Sequence, residues 1–154
     1  MNLLATSVFI FFAARISFED IKYFKIRNRL LLPFFCCTLV FSAFSGSFRA
    51  HFLSGLVFLL LFSFMHIAGA LLPRKAGIGF GDVKLLAVLA FGYVDHGIRS
   101  TEVFLLSLWC ALLLQLCLHF LHQGKLLPRI AMAPSIFLAG TLYLYAPIGL
   151  LLPQ

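Results

Sequence analysis

Apolar residues along this chain come in blocks, most of them about 15 to 23 residues long, and short polar stretches separate the blocks. A helix needs roughly 20 apolar residues to cross the hydrocarbon core of a bilayer, whereas a soluble amphipathic helix repeats its apolar positions every three or four residues. The pattern predicts six membrane-spanning helices, over residues 3–20, 30–44, 52–72, 82–94, 103–121 and 130–152. We therefore expect an all-α polytopic membrane protein in which residues 1–154 form one transmembrane domain.

The composition favours the lipid bilayer as the surrounding solvent. Of the 154 residues, 62% are apolar and 11% are charged, which leaves too little polar surface to cover a soluble core. A net charge of +7 would suggest nucleic-acid binding in a soluble protein, but the cations here fall in short loops beside the apolar blocks. We therefore expect a lipid environment and no nucleic-acid partner.

The four cysteines indicate neither a metal site nor a disulfide framework. All of them lie inside apolar blocks and none shows C-x-x-C spacing: Cys36, Cys37, Cys110 and Cys117. We expect packing thiols, and no cofactor. The first apolar block has no basic region before it and no small-residue cleavage site after it, so we interpret it as a retained helix rather than a signal peptide.

The positions of Lys and Arg predict the orientation in the membrane. Loops one, three and five, with the residues beside them, hold nine of the twelve cations: Lys22, Lys25, Arg27, Arg29, Arg74, Lys75, Lys84, Lys125 and Arg129. Loops two and four hold Arg49 and Arg99, and Arg15 lies within the first span. Because cytoplasmic loops carry an excess of Lys and Arg, we expect the odd loops inside and both termini outside.

Two acids are predicted to share the inner face. The first and fourth spans are shorter than a full crossing, so completing them draws Asp20 and the segment from Gly79 to Asp82 to the inner edge of the bilayer. A carboxylate inside a membrane costs roughly 2.5 to 3.5 kcal/mol on insertion scales and usually faces a protein interior or a water-filled cavity. The chain has only five acids, so two at one face form a functional candidate.

Two carboxylates close together cannot both ionise at low cost, so they share a single proton. In aspartic-protease chemistry the ionised member takes a proton from water while the protonated member polarises the scissile carbonyl, and no metal is needed. The alternative is ion pairing, with Asp82 bonded to Lys84 or Asp20 bonded to a basic loop residue. The positions of the acids alone do not decide between these interpretations.

The glycines in GIGFGD favour the catalytic interpretation. Gly77, Gly79 and Gly81 leave the backbone unobstructed, which suits a non-helical stretch that lines a cavity and pairs with an extended substrate. The alternative is a flexible loop before a helix.

Two motifs resemble those of the type 4 prepilin leader peptidases, a family of GxGD aspartyl membrane proteases. The family has an Asp followed eight residues later by the Asn of an I-P-N tripeptide, and here Asp20 leads to Asn28 with Arg27 in place of the proline. The second motif, G-x-G-D-x-K, is complete from Gly79 to Lys84. A weaker third similarity is the late segment AMAPSIFLAG, which keeps one of the family's two prolines.

The resemblance implies an endopeptidase that removes the basic leader of type 4 prepilins or pseudopilins at the cytoplasmic face of the bacterial inner membrane. Asp20 and Asp82 would be the catalytic acids, and the active-site loops would contain Gly79, Gly81, Lys84 and Asn28. Many family members also carry an N-terminal region with paired C-x-x-C motifs and methylate the new N-terminus. Because this chain starts at the first predicted span, we expect no methyltransferase activity.

Two other functions stay open. A proton-coupled transporter also uses membrane acids, but it needs a polar path to the outer leaflet, and the spans offer few such residues beyond Arg15 and Gln115. A degenerate relative would keep the fold and an assembly role without cleavage, and Arg27 keeps that alternative open. Neither the particular substrate nor the oligomeric state follows from the sequence.

Overall fold

The computed structural model describes residues 3–44, 46, 48–71, 78–124 and 130–146. Within these ranges all regular structure is α-helix, which confirms the all-α prediction. The helices are α1 (Leu3–Tyr23), α2 (Asn28–Phe44), α3 (Phe48–Leu71), α4 (Phe80–Tyr93), α5 (Ile98–Gln123) and α6 (Ala133–Tyr145). Each falls on one of the six apolar blocks, with ends a few residues from those predicted, except that α6 ends at Tyr145 whereas the predicted span continues to residue 152.

The short helix α4 occupies the centre of the bundle. It packs against α2, α3 and α6, and most of its side chains are buried. Helices α3 and α5 lie at the periphery and present many large apolar side chains outward. A short helix that is apolar on all sides is typical of a core position, since no face of it needs water.

Among the residues that the structure describes, two helices are long and apolar enough to cross a membrane, by length and composition alone: Phe48–Leu71 and Ile98–His122. The other described helices are shorter or, like α1, carry several charged residues. Of these four helices, α4 and α6 bury a larger share of their residues within the bundle than α1 and α2 do.

Two glycines let helices approach α4 closely. A Cβ on Gly55 of α3 would lie 2.8 Å from the Phe91 Cβ and 3.2 Å from the Ala87 carbonyl oxygen. A Cβ on Gly92 of α4 would lie 2.6 Å from the Thr38 Cγ2 of α2. Small residues at such contacts are how apolar helices gain packing energy where no hydrophobic effect drives them together.

The GxGD segment was expected to be non-helical, but part of it belongs to helix α4. Helix α4 begins at Phe80, so Gly81 and Asp82 lie in its first turn and only Ile78 and Gly79 are non-helical among the described residues there. The reason is that an acid in the first turn interacts favourably with the positive end of the helix dipole, which offsets the low helix propensity of glycine.

Several predicted features lie outside the described residues. They are Arg74, Lys75 and Gly77 in the third loop, Lys125 and Arg129 in the fifth loop, and the end of the sixth span beyond residue 146.

Candidate active site

Asp20 lies one turn before the end of α1 and is the most enclosed acid of the described chain, with 4% of its surface exposed. Its Oδ2 atom accepts a hydrogen bond of 2.9 Å from the backbone N–H of Ala133, the first residue of α6. Residue 134 is a proline and has no N–H, so Ala133 supplies the donor at this position of the helix. A free N–H at a helix N-terminus is a favourable partner for a carboxylate and fixes where the side chain points.

The end of α1 is closed by a residue in the left-handed conformation. Phe24 has a φ of 49°, and its N–H donates to the Asp20 carbonyl oxygen at 2.7 Å. This arrangement terminates helices but usually employs glycine, because a Cβ makes the conformation costly. The turn directs the following residues, including the buried Ile26, across the N-terminus of α4.

Asp82 lies in the first turn of α4, and its N–H donates to the Gly79 carbonyl oxygen at 3.0 Å. A side chain at either glycine of the motif would contact a neighbouring group closely. A Cβ on Gly79 would lie 2.8 Å from Asp82 Oδ2, and a Cβ on Gly81 would lie 3.2 Å from the Ile26 Cβ. The first glycine therefore leaves room for the carboxyl group, and the second lets the loop between α1 and α2 approach α4.

The two aspartates line one cavity of about 490 Å³, and their carboxyl groups are close enough to interact electrostatically. All six residues singled out in the sequence contribute to its wall: Asp20, Asn28, Gly79, Gly81, Asp82 and Lys84. The rest of the wall comes from residues 24–27, in the turn between α1 and α2, and from Arg29 in the first turn of α2. Residues 62 positions apart in the chain thus meet at one end of the bundle.

Lys84 bonds to Asn28 rather than to Asp82 in the described part of the chain. Its Nζ donates to the Asn28 Oδ1 at 3.4 Å and lies 4.8 Å from the centre of the Phe80 ring. The bond joins the second motif to the Asn of the first motif. The proposed Asp82–Lys84 ion pair is therefore not the arrangement observed.

Arg27, which stands where the resembled family has proline, lies in the cavity wall and contacts Glu19 and Tyr23. Its Nε lies 3.8 Å from Glu19 Oε2, and its guanidinium carbon lies 4.9 Å from the centre of the Tyr23 ring. Glu19 consequently pairs with the loop instead of joining Asp20 and Asp82. Arg27 therefore adds a cationic side chain to the wall where the family has proline.

One contact at the site was not anticipated from the sequence. His66 of α3 donates from Nδ1 to the Ile78 carbonyl oxygen at 2.6 Å, and its ring lies 5.6 Å from that of Phe80. The bond connects α3 directly to the residue before Gly79. A single histidine in an apolar block carries no signal for such a role, because its partner is a backbone atom that every residue has.

The chain matches the model of the type IV leader peptidase family over residues 7–151, nearly its whole length, and therefore belongs to that family. Members of the family are membrane proteases. No curated protein and no solved structure matches the chain. The family assignment agrees with the resemblance drawn from the two motifs.

Proposed function

We propose that this protein is an aspartic endopeptidase that removes the basic leader from type 4 prepilins or pseudopilins. The observation that carries the proposal is the single cavity lined by Asp20 and Asp82, each delivered by a different helix. Membership of the type IV leader peptidase family supports a peptidase with a prepilin-type substrate. The pair of aspartates indicates hydrolysis by the aspartic-protease mechanism.

The reaction follows from the pair sharing one proton. The ionised aspartate takes a proton from a water molecule as its oxygen attacks the scissile carbonyl carbon, while the protonated aspartate donates a hydrogen bond to the carbonyl oxygen. The tetrahedral intermediate collapses when the C–N bond breaks and the leaving amine takes a proton from an aspartate. Hydrolysis of this kind consumes one water and needs no covalent intermediate.

The membrane arrangement belongs to the same proposal. Six helices would span the inner membrane with both termini outside, which puts the ends of α1 and α4 that carry Asp20 and Asp82 at the cytoplasmic side. The cut in family substrates lies just before the hydrophobic helix of the pilin, so the scissile bond and the two acids would meet at the same depth. The cations Lys25 and Arg29 beside the cavity are typical of a cytoplasmic face.

The proposal is tested by incubating the purified protein in lipid with a prepilin and following removal of the leader by mass. The parent protein cleaves, whereas Asp20→Ala and Asp82→Ala do not. Asp95→Ala serves as the matched control, because Asp95 is an exposed acid at the other end of α4. Unchanged cleavage by both cavity variants contradicts the dyad, and no cleavage by any form, the parent included, favours the degenerate relative with an assembly role.

A further inference from the structure

Gln115 is a polar residue in the largely apolar middle of helix α5, and the catalytic scheme leaves it without a role. Its side chain is partly buried and bonds at both ends. The Nε2 group donates to the Ala131 carbonyl oxygen at 2.9 Å, and Oε1 accepts from the Ser135 hydroxyl. An amide in apolar surroundings is costly unless its hydrogen bonds are made, so these partners fix its position.

The two partners of Gln115 stand on either side of Ala133. Ala131 is two residues before it and Ser135 two residues after it, and Ala133 is the residue whose N–H bonds to Asp20 Oδ2. The Gln115 side chain therefore bonds on both sides of Ala133, whose N–H donates to Asp20. Ala131, Ala133 and Ser135 are all buried, so water has little access to replace a lost bond.

We propose that Gln115 is a positioning residue for the reaction: it holds the N-terminal turn of α6 so that the Ala133 N–H fixes the carboxyl group of Asp20. Gln115 does not touch the substrate or the reacting atoms. It acts through a chain of contacts from α5 to the start of α6 and from there to α1. The inference rests on the proposed function, because it assumes that Asp20 takes part in cleavage.

A kinetic experiment separates positioning from substrate binding. Gln115→Leu keeps the approximate volume and leaves Ala131 and Ser135 without their partner. We expect kcat for prepilin cleavage to fall about 10- to 100-fold, as small misplacements of a reacting group can cost, while KM stays within about twofold. A parent-like kcat, or a rise in KM alone, overturns the inference.

Two serine variants supply a matched pair if Gln115→Leu fails to fold. Ser135→Ala removes the hydroxyl that bonds to Gln115, whereas Ser107→Ala removes a buried hydroxyl that bonds within its own helix, to the Val103 carbonyl oxygen. Both delete one buried oxygen. We expect kcat to fall about fivefold or more in Ser135→Ala and to stay parent-like in Ser107→Ala, as the loss of one connected hydrogen bond implies. Equal kcat in the two variants contradicts the inference.

A stability measurement tests the connection without turnover. Asp20→Ala and Gln115→Leu should lower the melting temperature by less together than the sum of their separate effects, because both release the same turn. The changes in melting temperature caused by Asp20→Ala and Ser107→Ala should be additive. Additive effects in the first pair overturn the inference even if the protein cleaves nothing. Cleavage that survives in Asp20→Ala removes the proposed function itself, whereas loss of cleavage in Asp20→Ala with parent kinetics in Gln115→Leu removes the inference alone.

Discussion

The two ends of the bundle carry cavities of similar size, about 490 Å³ beside Asp20 and Asp82 and about 540 Å³ at the opposite ends of α1 and α4. The first receives one acid from each of two helices, and one of these acids is almost completely enclosed. The second has the exposed acid Asp95 in its wall, together with His51 and the phenols of Tyr93 and Tyr143. Volume alone therefore does not distinguish the candidate active site.

The polar groups of the second cavity connect helices to one another. The Tyr93 hydroxyl donates to the Ala5 carbonyl oxygen at 3.2 Å, which joins the end of α4 to the start of α1. The Asp95 N–H donates to the Tyr143 oxygen at 3.3 Å, which joins the following loop to α6. The first cavity also has bonds that join helices, from the Ala133 N–H to Asp20 and from Lys84 to Asn28, but it differs in having two carboxyl groups in its wall. We infer that the end with Asp20 and Asp82 carries out the reaction, and that the end with Asp95 contributes to the stability of the fold.

The largest difference in cleavage activity between variants at the two ends is expected when the glycine before a helix is replaced by alanine. Gly79 and Gly97 precede α4 and α5 with extended backbones that alanine can adopt, but only at Gly79 does the new Cβ crowd a carboxyl oxygen. Gly79→Ala should lower kcat/KM about 10- to 100-fold by displacing Asp82, with little change in melting temperature. Gly97→Ala should leave cleavage unchanged. Kinetic assays with both variants check the pair, and equal activities contradict the assignment of the ends.

Crowding at the other end of α4 should affect stability instead of activity. Gly92→Ala places a methyl group against the Thr38 side chain, which is buried and stiff because it is branched at Cβ. We expect a loss of about 1 to 3 kcal/mol in unfolding free energy, with unchanged cleavage by the folded fraction. Thermal unfolding in detergent measures the loss. Adding Thr38→Ala should restore part of it, and failure of the second substitution to do so argues against this contact.

Removing one hydroxyl from the second cavity should have a moderate effect. Tyr93→Phe keeps the buried ring and deletes the bond to Ala5, so we expect a loss of about 1 kcal/mol in unfolding free energy and parent-like cleavage. Tyr23→Phe, at an exposed position, is the control and should unfold like the parent. A fall in kcat for Tyr93→Phe would mean that this end also takes part in the reaction.

The smallest effect is expected from the ion pair beside the candidate active site, in which the Arg27 side chain is 52% exposed and the Glu19 side chain 20% exposed. Arg27→Ala removes the contact with Glu19, and half of the Arg27 side chain is exposed. The Nε–Oε2 distance of 3.8 Å is long and Arg27 is half exposed, so the pair should contribute about 1 kcal/mol or less; the melting temperature should fall only slightly and kcat/KM should stay within about twofold. A large loss of cleavage would show that residue 27 contacts the substrate. It would also give the missing proline of the I-P-N motif a functional meaning.

The six helices of the described residues and the common cavity of Asp20 and Asp82 could be anticipated from the sequence, because both follow from the order of apolar and charged residues along the chain. Span length sets depth, and the loop cations set the side of the membrane, so two acids at the inner ends of separate spans are predicted at one level. The motifs also identified Asn28, Gly79, Gly81 and Lys84, all of which line the cavity.

The packing order and the partners of Asp20 could not be anticipated. Helices that are apolar on nearly every face carry little information about which face meets which neighbour, so the central position of α4 was not evident. The donor to Asp20 is a backbone N–H, which has no sequence signal of its own. Gln115 stood out as a polar residue in a span, but its partners become clear only when α5 and α6 are seen together.

The central claim, that the two carboxyl groups act as one unit, is tested by comparing kcat/KM for prepilin cleavage in Asp20→Asn, Asp82→Asn and the double variant. Each single variant should lose about 100- to 10,000-fold, the usual contribution of general acid–base catalysis, and the double variant should be no slower than the slower single one. Losses that multiply in the double variant, or a single variant that cleaves at the parent rate, would contradict a shared catalytic proton.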